Sequence, residues 1–181
     1  ARLLPVFNTT SDHIAIQYPT INLVHHLQWD RPVLRIGICQ HAEAHNFLDF
    51  GAALGDAIAR SDARVGILAS GGMSHRFPTL DTSSNHVKTA AEHVISAEAR
   101  AFDEAVLARW ARGEHAGVID SYPDYKPFKP EGLLGHYLIM AGALGGRDWN
   151  APGAQLSEYE NAFGTGQVHV WFDLTNDRQP A

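Results

Sequence analysis

Arg64-Val65-Gly66-Ile67-Leu68-Ala69-Ser70-Gly71-Gly72-Met73-Ser74-His75 is the stretch on which the reading of the whole chain turns. Val65 to Ala69 is a short apolar run without a helical period, which reads as a strand buried on both faces. Ser70-Gly71-Gly72 then breaks it, because paired glycines admit positive φ and close backbone approach. His75 is thereby delivered just past the strand's end, where open α/β sheets gather their ligand-binding groups. A histidine in that place is a candidate general acid or base.

Working outward, Thr20 to Val24 suggests a strand, and His25-His26-Leu27-Gln28-Trp29-Asp30 a polar break. Val33 to Ile38 suggests a second strand, set off by Pro32. Gln40-His41-Ala42-Glu43-Ala44-His45 leads into a helix running to about Arg60, because Phe47, Phe50, Leu54 and Ile58 recur at spacings of three and four. Downstream, helical pattern runs from about Val87 to Arg112 with a break near Ser96. Phe102, Val106 and Trp110 mark its apolar face, and Gly113 its C-terminal cap. Ser121 to Pro130, with three prolines, reads as a long extended loop. Pro130-Glu131 opens a last helix that ends at Gly145-Gly146. Tyr159 to Ala162 and Gln167 to Phe172 are late strands, the second alternating Val168, Val170 and Phe172 with His169 and Trp171. Strands interleaved with helices predict an α/β layered domain.

The chain has 181 residues, enough for one domain with a core. Apolar residues at 45% and charged residues at 19% are globular values. A net charge of -6 leaves no basic stripe to displace counterions from phosphates, which argues against nucleic acid. No apolar run approaches the ~18 residues of a membrane span. Cys39, the one cysteine, reads as a buried strand thiol and fits a reducing, cytoplasmic compartment. The opening Ala1-Arg2-Leu3-Leu4-Pro5-Val6 has no initiator Met and no signal-peptide pattern. Residues 1–181 are therefore expected to be one domain that was processed from, or forms part of, something larger.

Eleven histidines are the unusual count. Ser11-Asp12-His13 sets a carboxylate beside an imidazole, although Ser and Asp are also ordinary turn residues. His41-Ala42-Glu43-Ala44-His45 has two histidines at i and i+4, the spacing of a zinc-chelating helix face. It lacks the Glu directly after the first His that metalloproteases carry, and a helix N-terminus disfavours cations. Glu131 stands in a first helical turn, favoured there by the dipole alone. It is also the only carboxylate between Asp124 and Asp148, hence the natural metal ligand if that helix supplies one.

Taken together, Ser70-Gly71-Gly72-Met73-Ser74-His75 after Val65-Gly66-Ile67-Leu68-Ala69 resembles the Ala-Ser-Gly-Gly-Leu-Ser-His signature of the class III (LigB-type) extradiol ring-cleaving dioxygenases. Asp12-His13 resembles that family's Asp-His-Gly element, with Ile14 where Gly is usual. Gly51 to Ile58, Phe102 to Gly113, Gly135 to Gly145, Gly164-Thr165-Gly166-Gln167 and Val170-Trp171-Phe172 are similar to its remaining elements in order. The resemblance implies a three-layer α/β/α fold with a mixed central sheet. It implies extradiol cleavage of a catechol-type ring with O₂ at a non-haem Fe(II) held by two histidines and a glutamate. His75 is then the second-sphere acid/base and His13 the second active-site histidine. Ser74 and His25 are the expected substrate contacts.

The family's two metal histidines precede the Asp-His-Gly element, so here they are expected from a companion chain or an N-terminal segment, in an assembly of more than one chain. The family's glutamate falls near Leu133 and Leu134, which leaves Glu131, a few residues away, as the metal carboxylate. Two rival functions remain: a non-catalytic or assembly subunit retaining the fold, and a zinc hydrolase using His41 and His45.

Overall fold

The computed structural model describes residues 6, 10, 11, 13–76, 96–162 and 164–174. Its first element is a helix, α1 (Tyr18–His26), where the β-branched run from Thr20 suggests a strand. Pro19 in the first turn decides it: proline's fixed φ suits helix entry, and its missing N–H is not needed there. α2 (Ala44–Ala59) begins only after the N-cap Glu43, whose N–H donates to Asn46 Oδ1 at 2.9 Å. α3 (Ala97–Ala111) is capped by Ser96 Oγ, which accepts from Ala99 N–H at 3.2 Å. It closes at Gly113, with φ of 69°, where an added Cβ would also lie 2.0 Å from the Asn150 carbonyl oxygen. The helical pattern ahead of Ser96 lies outside the described residues.

α4 (His115–Asp120), α5 (Tyr122–Tyr125) and a 3-10 turn (Lys126–Phe128) follow in quick succession. The proline-rich stretch is thus coiled rather than extended, because Pro123 and Pro127 each stand in a first turn and start a helix instead of stopping one. Glu131–Leu134 forms a further short turn, and α6 (Gly135–Ala143) completes the helices. Within that turn Gly132, Leu133 and Leu134 are all left-handed, with φ of 54° to 56°. Two leucines there carry a steric cost of about 1–2 kcal/mol each.

Four short strands form two antiparallel pairs. β1 (Gly153–Gln155) pairs with β4 (Val170–Phe172), Ala154 opposite Trp171. β2 (Glu160–Ala162) pairs with β3 (Thr165–Gln167) as a hairpin. Gln167 to Phe172 is not one strand, since Gln167 ends β3 and Val170 opens β4 in the other pair, but within β4 the alternation holds, with Val170 and Phe172 inward and Trp171 outward.

Val33 to Ile38 and Val65 to Ala69 have no regular secondary structure and make no strand ladder among the described residues. Val65 to Ala69 is buried on one face only: Ile67 and Ala69 pack on the core while Val65 and Leu68 face outward. Leu34 is 78% exposed, Val33 and Ile36 are exposed beside it, and a Cβ at Gly37 or Gly66 would meet nothing within 4 Å. Cys39 is an exposed free thiol rather than a buried one.

The core is built on α6, whose Tyr137 to Gly142 are all buried. α2 lies against it through glycines. An added Cβ at Gly51 would sit 2.2 Å from the Ile139 carbonyl oxygen, and one at Gly142 would sit 2.3 Å from that of Leu48. On the other side of α6 the wholly buried His115 ring stacks on Trp149 with centroids 3.5 Å apart. His115 Nε2–H donates to the Ala151 carbonyl and Nδ1 accepts from the Tyr137 hydroxyl, each at 2.8 Å. That pairing requires a neutral imidazole, and burial holds its pKa below the ordinary histidine value. The unfolded chain therefore takes up this proton first as pH falls, so stability present above about pH 6.5 drains away below it. Chemical denaturation at pH 7.5 and 5.5 should show the loss on the acid side, and His115→Asn should flatten that slope.

Candidate active site

The loop after Val65 to Ala69 is pinned from three directions. Met73 N–H donates to Gly166 O at 2.8 Å and Gly166 N–H returns to Ser74 O at 3.0 Å, so the loop runs beside β3. His75 N–H donates to Phe128 O at 3.0 Å, and Arg76 N–H to Gly164 O at 2.7 Å. Glu131 N–H reaches back to the carbonyls of Gly72 and Met73, each at 3.2 Å. Gly71 and Gly72 are not at positive φ; they are needed for space. An added Cβ at Gly71 would fall 2.3 Å from His136 Cε1, and one at Gly72 would fall 2.3 Å from Thr165 Cγ2 and 2.9 Å from His75 Cε1.

His75 has a nearly buried side chain, 8% exposed, and its Nδ1 lies 2.8 Å from the Met73 carbonyl oxygen. A carbonyl only accepts, so Nδ1 carries the hydrogen and a neutral ring keeps its lone pair on Nε2. Nε2 is the nitrogen turned toward Glu131, 3.9 Å from Oε2, an ion pair whenever the ring takes its second proton. Glu131 Oε2 also accepts from Gly72 N–H at 2.5 Å, and Oε1 accepts from the Tyr18 hydroxyl of α1 at 3.1 Å. The carboxylate charge raises the Tyr18 phenol's pKa, and the hydrogen bond adds to it.

His136, in the first turn of α6, brings a third polar group against the same glycines. Burial lowers its pKa to about 4, with His75 adding to the effect and Glu131 opposing it, so near pH 7 it is a neutral imidazole. Neither His136 nor Tyr18 stands out in the sequence as a site residue; both reach the loop only through tertiary packing.

The other expected residues are placed differently. Ser74 is wholly buried, and its hydroxyl donates to Asp103 Oδ2 at 2.7 Å. His13 is exposed, and Asp12 lies outside the described residues. His25 is exposed on α1, edge-on to His26. His41 precedes the N-cap Glu43 and only His45 is helical, so the two do not share a helix face. Among the described residues no three His, Cys, Asp or Glu side chains gather into a set that could hold a metal.

Residues 29–172, a span containing the whole loop, Glu131 and His136, match the family model described as the catalytic LigB subunit of aromatic ring-opening dioxygenase. The chain belongs to the LigB family. It is also 26% identical over 140 residues to the 3,4-dihydroxyphenylacetate 2,3-dioxygenase of Escherichia coli. That alignment covers 73% of this chain and 48% of the relative, so the chain spans about half the relative's length. No helix among the described residues is long and apolar enough to cross a membrane.

Proposed function

We propose that this LigB chain contributes the proton-handling half of an extradiol dioxygenase site that opens a catechol ring beside its hydroxyls with O₂. The observation that carries the reading is the His75 imidazole, anchored through Nδ1–H on Met73 O with Nε2 facing the Glu131 carboxylate. An imidazole fixed this way takes a proton from a catechol hydroxyl at Nε2, and the adjacent carboxylate holds the resulting imidazolium until the proton returns. His136, neutral near pH 7, offers a hydrogen bond without adding charge beside it. His13 and His25 are proposed to join the site only in the assembled enzyme.

Fe(II) in such a site would supply the redox-active centre that brings catechol and O₂ together. The described residues do not make that centre by themselves: no three of their His, Cys, Asp or Glu side chains gather into a metal set, and both Glu131 oxygens already accept protein hydrogen bonds. We infer that two histidine ligands come from polypeptide outside this sequence, with Glu131 as this chain's carboxylate. The exposed segments around Leu34 and Leu68 support this, since they have the composition of inner strands but no ladder partner among the described residues. Strands docked there would complete a three-layer α/β/α fold with a mixed central sheet. The exposed free thiol of Cys39 fits the reducing cytoplasm.

The missing ligand set equally favours a second reading, an assembly subunit that has kept the fold without the chemistry. One experiment separates them. Metal analysis and ring-cleavage assays on catechol, protocatechuate, gallate and 3,4-dihydroxyphenylacetate are run on the chain alone and with its co-purifying polypeptide. The dioxygenase reading expects iron and a yellow ring-opened product from the complex. A complex that holds no iron and opens none of the four rings supports the assembly reading.

A further inference from the structure

Asp103 lies on α3, far from the glycine loop in sequence, and is wholly buried. Burying a carboxylate costs several kcal/mol unless its oxygens are fully engaged. Among the described residues its partners are hydrogen-bond donors rather than a cation. Oδ2 accepts from the Ser74 hydroxyl at 2.7 Å and the Tyr159 hydroxyl at 2.7 Å. Oδ1 accepts from the Tyr125 hydroxyl at 2.6 Å, and the Ser74 N–H is shared between the two oxygens at 3.2 and 3.3 Å. All four donors converge on its two oxygens, so the side chain serves these partners only as an acceptor. Desolvation, with Asp103 adding to it, pushes both tyrosine pKa values up, so the phenols remain donors. Gly166 leaves the room, since a Cβ there would lie 2.4 Å from Asp103 Oδ2 and 2.6 Å from the Tyr159 hydroxyl.

Both donors of Ser74 are thus claimed by one charge, and Ser74 is the residue before His75. We propose that Asp103 is a positioning residue for His75: through Ser74 it fixes the backbone that aims the imidazole, while Tyr125 and Tyr159 brace it from α5 and from the approach to β2. The proposal rests on the reading of His75 as the acid/base group. A carboxylate satisfied by four donors has one favourable arrangement, whereas an apolar side chain of the same size would fill the space without directing the loop. The serine of the signature then works through the loop rather than on a substrate.

The test uses Asp103→Asn, Ser74→Ala and Tyr159→Phe in the full chain. The asparagine keeps shape but presents one acceptor oxygen and a donating NH₂ to groups that now all donate. Nitrogen-15 NMR of the histidine side chains reads the His75 tautomer without any catalytic assay. One sharp Nδ1–H signal is expected in the parent and in Tyr159→Phe, which removes a brace but leaves Ser74 tied. Mixed or exchange-broadened signals are expected in Asp103→Asn and Ser74→Ala. In the complex with its co-purifying polypeptide, Asp103→Asn should lower kcat roughly 10- to 100-fold with KM within about twofold. An unchanged His75 signal in both Asp103→Asn and Ser74→Ala overturns the proposal, and if Asp103→Asn fails to fold, Ser74→Ala decides alone. A perturbed signal in a complex that opens no catechol ring upholds the positioning role and removes the dioxygenase reading instead.

Discussion

His75→Gln should cut ring-opening turnover in the assembled enzyme by about 10²- to 10⁴-fold, the range for losing a positioned general acid/base. Glutamine preserves approximate size and sets an amide near the place of Nε2, but it has no group that takes and returns a proton near neutral pH. Substrate affinity should change little, because the role assigned to Nε2 is in moving a proton rather than in holding the ring. Iron content should also stay nearly unchanged, since His75 is assigned beside the metal rather than on it. Steady-state kinetics and metal analysis on the same preparation check both halves. Lost iron would make His75 a ligand, and unchanged turnover would place the chemistry elsewhere and favour the assembly reading.

Gly142→Ala carries the largest expected loss of stability. Alanine is the better helix former by about 1 kcal/mol, so propensity alone predicts a gain. Packing outweighs it, because the new methyl would lie 2.3 Å from the Leu48 carbonyl oxygen and 3.0 Å from Leu48 Cα. Those are backbone atoms of α2, which yield only if the two helices separate along Tyr137 to Gly142. Overpacking of this kind costs about 1–3 kcal/mol, and more when backbone must move. The net loss of about 1–2 kcal/mol should lower Tm by roughly 2–8 °C in a chain of this length, read by calorimetry. Gly51→Ala should behave alike, its methyl meeting Ile139 O at 2.2 Å, whereas Gly66→Ala meets nothing within 4 Å and should be close to neutral.

Where a single periodicity ruled a segment, the sequence could be read well. α2 follows from Phe47, Leu54 and Ile58, α3 from Phe102, Val106 and Trp110, and the inward faces of β4 from Val170 and Phe172. Two misreadings come from helix-starting prolines: Pro19 opens α1 where the run from Thr20 suggests a strand, and Pro123 and Pro127 open helical turns where the prolines suggest an extended loop. Val65 to Ala69 is apolar on both faces but covered on one, because cover is supplied by neighbours that the local pattern does not encode.

At the site, His75 and Glu131 were legible and are brought together, 3.9 Å apart. Asp103 carried a signal too: it falls three residues before Val106 and seven before Trp110, an acidic residue on the buried stripe of α3. A charge in that register needs partners, and tyrosines at 125 and 159 have hydroxyls to give. Which ones met it depended on the chain's path. The same holds for His136, whose packing against Gly71 joins segments some sixty residues apart.

The glycine seam between α2 and α6 also sets the order in which the molecule can mature. Gly51 and Gly142 are roughly 90 residues apart, so α2 emerges from the ribosome several seconds before the helix it rests on, at synthesis rates of about 5–20 residues per second. Throughout that interval its apolar stripe has no permanent cover, and the loop to be closed is long. Closure of this seam is therefore expected to wait for α6 and to be chaperone-sensitive, with truncations ahead of Gly135 failing to yield protected amide hydrogens in α2.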